Sequence, residues 1–168
     1  MRVAPMQIRF SKGKRADRPD VLTCLRADGS STWMHERPGF VYHDLAHYAV
    51  ETSLGYRYGF FGLVRSGWEL SSADFGRDPV TKQRFPWPDP SGAPMEPVEY
   101  VVSLLQRERG GWGVTQDDFH DAMKLYVGDS RPQVPEERLA AARQLVRDLY
   151  ARWEAVPPGE ALDLTFAV

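Results

Sequence analysis

The two ends of this chain keep a two-residue rhythm that its middle does not share. Met6, Ile8 and Phe10 alternate with Gln7 and Arg9, and far along the chain Leu162, Leu164, Phe166 and Val168 alternate with Asp163, Thr165 and Ala167. Successive side chains of a strand point to opposite faces, so each end reads as a strand with one apolar side. Such strands need partners and a covering layer, which places both ends in one antiparallel sheet. Val21 to Arg26, then Ala27-Asp28-Gly29-Ser30, then Ser31 to His35 add two more strands around a tight Asp-Gly turn. With Asp28 and Gly29 as a two-residue loop, Cys24 faces Trp33 and Leu22 faces His35, all on one sheet face.

From residue 40 the period becomes helical. Phe40 to Leu54 reads as a helix, with Gly55 suited to the left-handed position that ends it, and Phe60 to Ser66 as a short second one. Six prolines between residues 76 and 97 forbid regular structure and make a long loop carrying Trp87, of the kind that serves as a lid or wrapping arm. Val98, Val101, Val102 and Leu105 then repeat at helical spacing, with Pro97 in the first helical position. Thr115 and Asp118 suit the start of a helix whose stripe is Phe119, Ala122, Met123 and Tyr126. The last helix starts near Pro135, buries Leu139, Ala142, Val146, Leu149, Tyr150 and Trp153, and stops before Pro157-Pro158-Gly159. The expectation is a single α+β domain over residues 1–168, in which a small antiparallel sheet packs with four to five helices.

Composition narrows the function classes. With 42% apolar and 12% aromatic residues in 168, the chain can fill a core without staples. Cys24 is the only cysteine, which excludes an intramolecular disulfide and a cysteine-rich zinc site. The sequence shows no apolar run of membrane-spanning length and no signal-like stretch in its first ten residues, so a cytoplasmic setting away from membranes is expected. A net charge of −2 argues against a dedicated nucleic-acid binder. The basic excess in residues 12 to 18 reads as a solvated loop.

The segment with chemistry in it is His43-Asp44-Leu45-Ala46-His47-Tyr48-Ala49-Val50-Glu51. Two histidines four apart on a helix stand one turn above each other, so both imidazoles can converge on one divalent ion. Glu51, a further turn along, can accept a hydrogen bond from His47 and so fix its tautomer. On a helical projection His43, Asp44, His47 and Glu51 share one arc, and no Lys or Arg occurs from Phe40 to Leu54. An arc without long charged side chains suits a cleft or an interior polar network.

This spacing resembles the zinc-protease helix His-Glu-x-x-His, with Asp44 where that pattern has Glu. The resemblance implies zinc on His43 and His47, with Asp44 orienting or deprotonating the metal-bound water across a side chain one methylene shorter. More widely, His-Asp-Leu-x-His-Tyr-x-Val-Glu, followed by Gly59-Phe60-Phe61-Gly62-Leu63 and Gly67-Trp68, resembles small bacterial proteins of unassigned activity, which implies a shared small fold. His120 is the third ligand expected, with His35, Glu69 and Asp74 as further candidates and Cys24 with His35 as a soft alternative pair. The expected function is a metal-dependent hydrolase acting on a small-molecule or peptide substrate, with Asp44 and Glu51 assisting at the metal. The competing expectation is a non-catalytic interaction protein whose His/Asp/Glu arc is a buried polar network, and whose Trp87 loop or Tyr56–Trp68 aromatic segment meets a partner.

Overall fold

The computed structural model describes residues 4–70, 96–110 and 133–168. Four strands, β1 (Met6–Ser11), β2 (Val21–Leu25), β3 (Ser31–His35) and β4 (Ala161–Phe166), form one antiparallel sheet in the order β3-β2-β1-β4. The two ends of the chain lie side by side, with Met6 opposite Phe166, Ile8 opposite Leu164 and Phe10 opposite Leu162. Alternation puts these six side chains, with Leu22 and Cys24, on the covered face, where each is buried. Arg9 and Asp163 meet on the other face through a two-pronged ion pair at 2.7 and 3.0 Å.

The hairpin register differs from the expected one. Cys24 faces Thr32, Leu22 faces Met34 and Thr23 faces Trp33. The loop holds three residues, because the Arg26 amide donates to the Ser30 carbonyl at 2.8 Å around Ala27, Asp28 and Gly29. Gly29 takes φ 86°, the left-handed position a three-residue hairpin loop requires, and Asp28 accepts the Ser30 amide at 2.9 Å. A one-residue slip reverses the facing of a whole strand. Trp33 is therefore 58% exposed and His35 lies with it on the outer face, opposite in facing to buried Cys24, so no Cys24–His35 metal site forms.

Four helices are described: α1 (Phe40–Leu54), α2 (Phe60–Arg65), α3 (Val98–Arg109) and α4 (Glu136–Ala155). Helix α1 packs against α2, α3 and α4 and is buried from Asp44 to Glu51 without a break. It is held by Tyr48, whose hydroxyl donates to the Thr165 carbonyl at 2.9 Å, and by Tyr150 of α4, which donates to the Tyr42 carbonyl at 2.7 Å. Gly55 closes α1 at φ 75°, and Pro97 sits just before the first turn of α3 rather than within it. Phe10, Phe61, Phe166 and Trp153 meet edge-on or tilted between sheet and helices, with ring centroids 6.0 to 6.5 Å apart. The helix expected after Thr115, with His120, and residues 76 to 95 of the proline-rich loop lie outside the described residues. Among the described residues no helix is long and apolar enough to cross a membrane.

Candidate metal centre

Helix α1 brings the two histidine rings to a centroid separation of 4.7 Å, as one-turn spacing requires. Each ring uses its Nδ1 on a neighbour. His43 Nδ1 stands 3.1 Å from Gln106 Oε1 on α3, and His47 Nδ1 stands 3.3 Å from Glu51 Oε1. A carboxamide oxygen and a carboxylate only accept, so both Nδ1 atoms carry hydrogen, and the Nε2 atoms are the ones that could serve as ligands.

The third ligand candidate is one the sequence reading did not name. Glu99, in the first turn of α3, places Oε1 3.2 Å from His47 Nε2, and ligand atoms of His43, His47 and Glu99 all lie within 4.8 Å of one another. This is the only group of three such side chains among the described residues. Glu99 and Gln106 are seven residues apart, so they share one face of α3. A signal was present in that spacing, an acid and an amide flanking the Val98, Val101, Val102 and Leu105 stripe. It could be recognised only once α3 was known to lie along α1. Of the other candidates, Glu69 meets Arg26 at 3.4 Å, while Asp74 and His120 lie outside the described residues.

Glu51 is completely buried. Besides His47, its oxygens accept the amides of Phe61 at 3.3 Å and Gly62 at 3.0 Å, which ties α1 to the start of α2. Burial raises the Glu51 pKa, partly offset by His47 and the two amides. Burial pulls the other way on His47, yet the hydrogen bonds to Glu51 and Glu99 prevail and push it up to about 10. At Glu99 the same His47 contact outweighs burial and lowers the pKa. His47 thus stands between the carboxyl groups of Glu51 and Glu99, which together favour its protonated form.

Asp44 is 3% exposed, and its Oδ2 meets no donor among the described residues. Beside it lies Glu36, 5% exposed, with neither carboxylate oxygen reached by a donor. Burial, then the charge of Asp44, pushes Glu36 up to about 9, and burial raises Asp44 too. A carboxyl kept neutral beside a second carboxylate can donate to it, and a proton shared in this way would supply the missing donor. Asp44 thereby joins α1 to the segment that follows β3.

No protein-family model matches this chain, and neither the curated proteins nor the solved structures contain a significant match.

Proposed function

We propose that His43, His47 and Glu99 bind one divalent metal ion and that the protein is a metal-dependent hydrolase. The carrying observation is the convergence of their three ligand atoms within 4.8 Å, with both Nδ1 atoms already engaged elsewhere. Two imidazoles and one carboxylate form a ligand set that suits zinc and leaves a fourth position for water. Tetrahedral bonds of about 2.0 to 2.1 Å set ligand atoms roughly 3.4 Å apart, close to the 3.2 Å between His47 Nε2 and Glu99 Oε1. The chemistry a bound metal adds is acidity, lowering the pKa of its water toward ~7. Glu51 and Gln106 hold the imidazoles in the ligating tautomer. Asp44, committed to Glu36, acts through the placing of α1 rather than on the water.

One observation favours the competing reading of a structural network: His47 is already balanced by Glu51 and Glu99. Metal analysis decides between them. Protein loaded with zinc and passed through a desalting column should retain about one equivalent, and the Glu99→Ala and His43→Ala/His47→Ala variants should retain none. Equal zinc in all three, or a wild-type melt insensitive to added zinc and to chelator, leaves the network reading.

A further inference from the structure

Phe40 opens α1 with 45% of its surface exposed, one of three exposed aromatic residues, with Trp33 and Tyr58, among the described residues. The ring is nonetheless held in place. It meets the His43 ring at 61° with centroids 5.9 Å apart, and the Arg37 guanidinium lies over it at 5.5 Å. On the far side of the imidazole pair Phe60 packs on His47 at 5.7 Å. The two candidate ligands therefore stand between phenyl rings, with Phe40 against His43, the half-buried member of the pair.

We propose that Phe40 forms a subsite for an aromatic or flat apolar group on a molecule bound at the metal. This assignment rests on the metal-centre reading and names the substrate class for it: compounds whose metal-binding or scissile group carries a planar apolar substituent. Because the Phe40 ring packs on that of the candidate ligand His43, a phenyl group carried next to a metal-binding group has an exposed aromatic surface beside it. Such a contact removes apolar surface from water on both partners and lets two rings meet offset or edge-on.

Titration calorimetry of zinc-loaded protein with acetohydroxamic and benzohydroxamic acid tests this, because the two share one metal-binding group. The wild type should bind the aromatic probe about tenfold more tightly. Phe40→Ala should reduce that ratio to about twofold while leaving the acetohydroxamate affinity unchanged, and Phe40→Leu should fall between. Equal binding of both probes to wild type that retains zinc would overturn the aromatic subsite and leave the metal centre standing. Failure of the wild type to retain zinc would overturn both. The wild-type ratio decides even where a variant folds poorly.

Discussion

Gly59 lies so close to Glu51 that a Cβ on Gly59 would stand 2.3 Å from the Glu51 carboxyl carbon. The missing side chain lets the start of α2 close over a buried carboxylate and give it two amides, which in turn holds His47. Gly59→Ala should therefore cost about 2 kcal/mol in chemical denaturation, because Glu51 has no free volume into which to retreat. Glu51→Ala should cost about 3 kcal/mol, since it strands the Phe61 and Gly62 amides and the His47 ring. If Gly59→Ala lost no stability, the packing of α2 on α1 would be looser than described.

The Glu36–Asp44 pair sets a pH dependence of known sign. Glu36 titrates near 9 when folded and near 4.5 when unfolded, so between these values the unfolded chain binds fewer protons than the folded one. Stability should therefore be greatest below pH 4.5, as far as this group contributes, and should fall as pH rises toward 9. Glu36→Gln keeps a donor for Asp44 without the ionisation. At pH 8 it should be more stable than wild type by about 2 kcal/mol, with the gap closing at pH 5. Parallel melting curves across that range would dismiss the shared proton.

His47 makes metal uptake a proton exchange. Its folded, metal-free pKa of about 10 exceeds the ordinary 6.5, so its stabilising contribution is complete below 6.5 and fades as pH rises through about 10. Within that window a metal must displace one proton from Nε2. Apparent zinc affinity, measured against a competing chelator, should rise about tenfold from pH 7 to pH 8. A pH-independent affinity would place the metal away from His47.

Cys24 is fully buried in the sheet, and burial pushes its thiol up to about 12. At pH 8 it should react with a thiol-specific reagent only on the timescale of unfolding, and promptly in denaturant. Prompt reaction of the folded protein would contradict the position of β2 over the core.

Much of the architecture was legible because it repeats locally. The alternation at Met6–Phe10 and Leu162–Phe166, the helical stripe and terminal glycine of Phe40–Gly55, and the apolar series of α4 each record their own burial in sequence. The hairpin register was not legible in this way, since Asp28-Gly29 suits both a two-residue and a three-residue loop. What chose between them is burial across the sheet, which keeps Thr32 and Met34 inward and leaves Trp33 outside.

The sequence by itself determined the α+β architecture and the spacing of His43, His47 and Glu51 on one helix, because backbone periodicity fixes neighbours within a few residues. Tertiary structure alone decided that Glu99 and Gln106 face those rings, that Glu36 reaches Asp44, and that Gly59 leaves room for Glu51. Those pairs lie between 8 and 63 residues apart, and they meet only through the packing of α1 with α2, α3 and the segment after β3. No local rule encodes an encounter that depends on how whole elements settle around a shared core.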